Sequence, residues 1–254
     1  MVDRRPADTS SRLGDGRAAI VFDGDDTLWE TEPLYDKARS TAASIAASAG
    51  YSAFDFEDLQ KVIDADNVRL MGLASHRFPT SSVQAYEELA RRAHNKPIQS
   101  VSRAIYDASS GVFRAAAPLM PFAHELLSIL HPKFALALLT KGDVEVQSLR
   151  VQSSGLANYF DIVRVVPEKT SETFHSLIRD LHVSPNESWS IGNSLASDIT
   201  PAIEIGMQAI WIDAYVWKHE RRHADLDKHH PRLHVAIDLA SARDILDQAT
   251  SLSR

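Results

Sequence analysis

Short apolar runs and long helix-patterned stretches divide this chain unevenly. Six runs rich in apolar residues lie at 18–22, 134–139, 162–166, 189–191, 209–212 and 234–237, and all but the second have Gly, Asp or Pro next to at least one end. Runs this short, without alternation, predict strands covered on both faces. From about residue 120 onward, helix-length segments such as 144–154 and 171–181 lie between them. Strand–helix alternation predicts right-handed βαβ units, hence an α/β fold built on a doubly wound parallel sheet. Sheets of this kind present their chemistry at the carboxyl ends of the strands.

One stretch breaks the alternation. About 110 residues separate the first run from the second with hardly a strand signal. Ala38, Ala42, Ile45, Ala46 and Ala49 recur at helical spacing, as do Val83, Tyr86, Leu89, Ala90 and Ala93. Gly50 reads as a helix stop, and Pro79 with Thr80 and Ser81 as a helix start. The pattern predicts a four-helix insert over 34–117, after which Phe122, Leu126, Leu127 and Leu130 form a helix leading into the second strand. The expected organisation is a flexible tail over 1–16, an α/β core over 17–33 and 118–254, and the helical insert between.

Composition narrows the function. The 254 residues are 44% hydrophobic and 24% charged, which excludes collagen-like and disordered classes. Lys and Arg number 27 against 34 Asp and Glu, a formal charge of -7 that argues against a nucleic-acid or anionic-membrane partner. The absence of Cys excludes disulfides, zinc ribbons and cysteine nucleophiles. No apolar stretch approaches the roughly 20 residues of a membrane span, and 1–17 hold no apolar export core. The expectation is a cytoplasmic protein whose chemistry rests on carboxylates, His, Lys, Ser and Thr.

Four strand ends carry such groups. The first run leads into VFDGDDTLW at 21–29, where Asp23 and Asp25 start on the same side of an extended backbone. Buried carboxylates need a cation, a proton or water, and Thr27 with the Gly24 backbone can add hydrogen bonds. The plainer alternative is a solvated acidic loop with Asp26 or Thr27 as a helix cap. The second strand ends in Thr140-Lys141-Gly142-Asp143, a hydroxyl and backbone amides suited to an anion, or else a Thr capping the next helix. Lys169 follows the third strand, where a cation lowers neighbouring carboxylate pKa values and neutralises a bound anion. The fourth strand opens into Gly192-Asn193-Ser194, with Asp198 four residues further on. Asn193 and Asp198 offer the oxygen ligands that Mg²⁺ prefers.

This order of motifs resembles the haloacid dehalogenase-like hydrolase superfamily, over nearly everything after Arg17. The insert lies where that superfamily places its smaller cap. The resemblance implies Asp23 as nucleophile and Asp25 as general acid and base. It implies Thr27, Thr140, Lys141 and Lys169 around the substrate, and Mg²⁺ held by Asp23, the Asp25 carbonyl, Asn193 and Asp198. Asn193 departs from the Gly-Asp that commonly opens the fourth motif, which removes one negative charge beside the metal. Dehalogenases proper lack the second acid, and Asp25 is present here. The expected function is a Mg²⁺-dependent phosphomonoesterase that hydrolyses a small phosphorylated metabolite through an aspartyl-phosphate. The alternatives are a 2-haloacid dehalogenase, a phosphosugar mutase, or a weakly catalytic binder of a phosphorylated ligand.

Other features read more plainly. His219, His223, His229, His230 and His234 crowd one region among Arg221, Arg222 and Lys228, the pattern of a solvated surface rather than a metal site. Trp211 and Trp217 read as packing. His76, Arg77 and Phe78 in the insert are candidates for substrate contact.

Overall fold

Ala19–Phe22, the first apolar run, is a fully buried strand at the middle of a seven-stranded sheet. The computed structural model describes residues 2–4, 17–213, 227 and 229–252. In chain order the strands are β1 (Val2–Arg4), β2 (Ala19–Phe22), β3 (Ala135–Lys141), β4 (Ile162–Val166), β5 (Ser188–Gly192), β6 (Gln208–Ile212) and β7 (Leu233–Ala236). Their spatial order is β1-β4-β3-β2-β5-β6-β7. Strands β2 to β7 are parallel, as the expected α/β fold requires. Strand β1 runs antiparallel to β4, with Val2 opposite Val165. The reading of 1–16 as a flexible tail does not foresee this strand. Three residues without periodicity carry no strand signal of their own, and the open edge of β4 supplies the pairing.

Residues Thr31–Ala117 form a compact unit of their own, and the rest of the chain forms the other. The helical unit contains α1 (Glu32–Ser48), α2 (Ala53–Met71), α3 (Arg77–Arg92) and α4 (Gln99–Ser110). Ala42, Ala43 and Ala46 on α1 pack with Phe56, Ala85, Tyr86 and Ile105; their small side chains let the helices approach closely. Helix α3 begins at Arg77, so Pro79 sits inside the first turn, where a missing N–H costs little. The same unit buries Arg77 against Asp64, with side chains only 5% and 4% exposed. Phe78 lies in a cluster with Ala38 and Val112. Arg77 and Phe78 therefore serve the interior of this unit, contrary to their reading as substrate contacts.

In the other unit, α5 (Ala123–Leu130), α6 (Val144–Ser154), α7 (Ser171–Asp180), α8 (Thr200–Glu204) and α9 (Leu239–Leu252) accompany the sheet. Val21, Ala137, Leu139 and Val166 of the strands pack with Phe174, Leu177 and Ile178 of α7. After β2 the chain steps to β3 and β4 on one side, then returns to β5 on the other. That reversal falls at the carboxyl ends of β2 and β5, the place where such sheets bind ligands.

Candidate active site

Asp23 follows β2 directly, and its N–H donates to the Ile191 carbonyl of β5 at 2.9 Å. The backbone then coils. The Gly24 carbonyl accepts from the N–H of Leu28 at 2.8 Å and of Thr27 at 3.2 Å. A Cβ on Gly24 would stand 2.5 Å from the Trp29 indole. The bare glycine lets that ring lie against the loop, where its Nε1 donates to Asp25 Oδ1 at 2.7 Å. Thr27 Oγ1 donates to Asp23 Oδ2 at 2.9 Å. The two carboxylates, close in sequence, thus take different partners.

Lys169, just past β4, joins Asp23 to the loop after β5. Its Nζ donates to Asp23 Oδ1 at 2.5 Å and to Asp198 Oδ1 at 2.6 Å. The other Asp198 oxygen accepts the Ser194 N–H at 2.9 Å, and its backbone carbonyl accepts Ser190 Oγ at 2.7 Å. A single π turn over Leu195–Ile199 swings Asp198 back onto β5. A side chain on Gly192 would overlap the Asp198 carboxylate, so the glycine is a spatial requirement. Asp23, Lys169 and Asp198 are all buried.

Two carboxylates facing one ammonium leave an excess negative charge. Burial, then the charge of Asp198, push the Asp23 carboxyl up to about 7, against the pull of Lys169. Burial works against the Lys169 ammonium, but Asp198 and Asp23 outweigh it and raise its pKa. Asp25 stands apart from this triad. Its Oδ2 accepts from Arg150 at 2.5 Å and from Gln147 Nε2 at 2.9 Å, both on α6.

The remaining expected residues lie on the same strand ends. Thr140 is buried near the end of β3, beside β2. It does not cap α6; Asp143 does, accepting from the N–H of Glu145 at 3.0 Å and of Val146 at 3.3 Å. Lys141 Nζ donates to Ser197 Oγ at 2.8 Å, tying this loop to the acidic loop. The Asn193 carbonyl accepts Trp211 Nε1 at 2.9 Å, so Trp211 anchors the acidic loop as well as packing. Asp23, Thr27, Lys169 and Asp198 therefore make one hydrogen-bonded set, and Asp25 makes a second with Trp29, Gln147 and Arg150. Sequence reading missed Gln147 and Arg150. Their one signal is three-residue spacing on a helix whose Val146 and Val151 are also buried.

Among the described residues, no three His, Asp or Glu side chains cluster as metal ligands. A metal at this site would rest on two carboxylates and neutral oxygens, a donor set that suits Mg²⁺, which commonly takes one or two carboxylates and keeps several waters. His219, His223, Trp217, Arg221, Arg222 and Lys228 lie outside the described residues. His234 is half-buried on β7 against Trp189, with ring centroids 5.3 Å apart, and burial lowers its pKa. Among the described residues no helix is long and apolar enough to cross a membrane.

Comparison with known proteins extends this picture. A family model described as haloacid dehalogenase-like hydrolase matches residues 18–206. The 5-amino-6-(5-phospho-D-ribitylamino)uracil phosphatase YigB of Escherichia coli is 26% identical over 214 residues, 77% of this chain and 83% of YigB. A haloacid dehalogenase-like family hydrolase from Xanthomonas campestris superposes with a TM-score of 0.74 at 23% identity, covering 93% of this chain and 100% of its own. The 2-haloacid dehalogenase of Pseudomonas syringae has a TM-score of 0.57 at 22% identity, covering 91% and 99%.

Proposed function

The chain belongs to the haloacid dehalogenase-like hydrolases, and from that premise we propose that it is a phosphomonoesterase acting on a small phosphorylated metabolite. The observation that carries this reading is the pair Asp23 and Asp25. One carboxylate is buried against Lys169 and Thr27, and the other, held by separate donors, is part-exposed. A lone nucleophile that expels halide has no use for the second acid, whereas phosphate ester hydrolysis needs proton transfer twice. The phosphatase name of YigB favours the same substrate class.

In this reading Asp23 attacks phosphorus while the bond to the leaving oxygen breaks, and Asp25 gives that oxygen its proton. The product on the protein is an aspartyl-phosphate. Asp25, now a carboxylate, then takes a proton from water as the water oxygen attacks phosphorus and the Asp23 carboxylate departs. Lys169, with Thr140 and Lys141 on the neighbouring strand ends, binds phosphoryl oxygens, the two lysines offsetting their charge. Thr27, expected from the sequence to touch substrate, is buried and donates its hydroxyl hydrogen bond to Asp23. Asp23, the Asp25 carbonyl, Asn193 and Asp198 would hold Mg²⁺, which when bound supplies positive charge that offsets repulsion between carboxylate and phosphate.

The test is phosphate release from p-nitrophenyl phosphate. Activity that EDTA removes and Mg²⁺ restores, and that Asp23→Asn abolishes, is the expected result. Halide release from 2-chloropropionate, with no phosphate release under any metal, would replace this reading with the dehalogenase one.

A further inference from the structure

The proposed acid and base, Asp25, is fixed by one residue of its own motif stretch, Trp29, and by two that none of the four motifs contains, Arg150 and Gln147. Trp29 donates to one of its oxygens at 2.7 Å, and Arg150 and Gln147 donate to the other at 2.5 and 2.9 Å. Donors on both oxygens stop rotation of the carboxyl group. We propose that Arg150 and Gln147 are positioning residues, which orient Asp25 for both of its proton transfers. This rests on the reading of the chain as a phosphomonoesterase.

Burial separates the roles. The Asp25 side chain is 29% exposed while that of Arg150 is 4% exposed, so Asp25 is the open group and Arg150 is covered. Arg150 acts through Asp25. Gln147 points the same way by a different observation. Its Nε2 serves both Asp25 and the Lys141 carbonyl, the latter at 3.2 Å, while its Oε1 is buried without a hydrogen-bond partner. Rotating the amide by half a turn would set its oxygen against a carboxylate and a carbonyl. The amide is held donor-inward, at the cost of an unsatisfied acceptor. A purely structural role for these side chains, fastening α6 in place, is already filled by the Asp143 cap and by buried Val146 and Val151.

A positioned proton donor matters most when the leaving group is poor. Phenolates depart with little help, but alkoxides need the proton. The experiment measures kcat/KM for the full chain and for Arg150→Met, on p-nitrophenyl phosphate and on glycerol 2-phosphate. The expected loss in the variant is about a hundredfold on the alkyl ester and under about tenfold on the aryl ester. Gln147→Leu should show the same split at smaller size, and it carries the test alone if Arg150→Met does not fold. Guanidinium chloride at millimolar concentration should restore alkyl ester turnover to Arg150→Ala more than aryl ester turnover. Equal losses on both esters, without rescue, would overturn the proposal and leave the phosphatase reading standing. A wild-type protein that turns over neither ester would overturn both.

Discussion

Lys169 donates to Asp198 across 2.6 Å, joining the segment after β4 to the loop after β5 over 29 positions of sequence. The same ammonium reaches Asp23, so one buried cation serves two carboxylates.

Removing that cation should cost stability as well as activity. Lys169→Met leaves Asp23 and Asp198 facing each other in a buried site, and breaking a buried ion pair from one side costs about 3–5 kcal/mol. Urea unfolding at pH 8 in EDTA should show a lower midpoint, and adding Asp198→Asn should recover part of the loss. An unchanged midpoint in Lys169→Met would show that the two carboxylates do not depend on this cation.

The raised pKa of Asp23 sets a pH dependence with a definite sign. Its folded-state value of about 7 lies above the ordinary 3.8, so the folded protein holds this proton more tightly than the unfolded chain does. The contribution to stability is complete below about pH 4 and is lost as pH rises through about 7, a decline of a few kcal/mol at most. In EDTA, wild-type stability should fall more between pH 5 and pH 8 than that of Asp23→Asn. Parallel stability curves for the two proteins would contradict the assignment. The substitution should therefore stabilise the metal-free fold at pH 8 while abolishing turnover.

Arg77 belongs to the interior of the helical unit. Arg77→Ala leaves the Asp64 carboxylate buried and unpaired by its guanidinium, so we expect a stability loss of about 3–5 kcal/mol. Thermal unfolding measures it, and Asp64→Asn combined with Arg77→Met should restore much of the loss. A melting temperature within a degree of wild type for Arg77→Ala would show that the buried Asp64 does not depend on this guanidinium.

Asn193 offers a test of the proposed metal ligands. Its backbone carbonyl, not its side chain, anchors the loop to Trp211, so a change of side chain leaves that anchor intact. Asn193→Asp restores a charge beside a proposed Mg²⁺ ligand and should tighten the Mg²⁺ midpoint of activity about fivefold, or about 1 kcal/mol. A midpoint unchanged or weaker would remove Asn193 from the ligand set and leave Asp198 as the one acidic-loop side chain in it.

Much of the sheet was legible because parallel strands buried on both faces must be apolar throughout. The run 162–166 coincides with β4, and the helix expected over 144–154 coincides with α6. The strand ends were legible for the complementary reason, that Asp, Lys and Asn beside such runs demand partners. Boundaries were less so. Strand β3 continues through Thr140 and Lys141, because β4 pairs with them at Val165 and Val166. Strand β1 was invisible, since an edge segment takes its hydrogen bonds from a neighbour rather than from its own pattern.

The amino-acid sequence by itself determined the α/β class, the helical interruption after the first buried strand, and the residue types available at each strand end. Those properties follow from local burial and periodicity, which each segment carries within itself. Only the tertiary structure decided the partners. Strand order brings Lys169 between Asp23 and Asp198, and the facing of α6 brings Arg150, 125 residues away, onto Asp25. No local pattern encodes such pairings, because each depends on where two distant segments are set by the core beneath them.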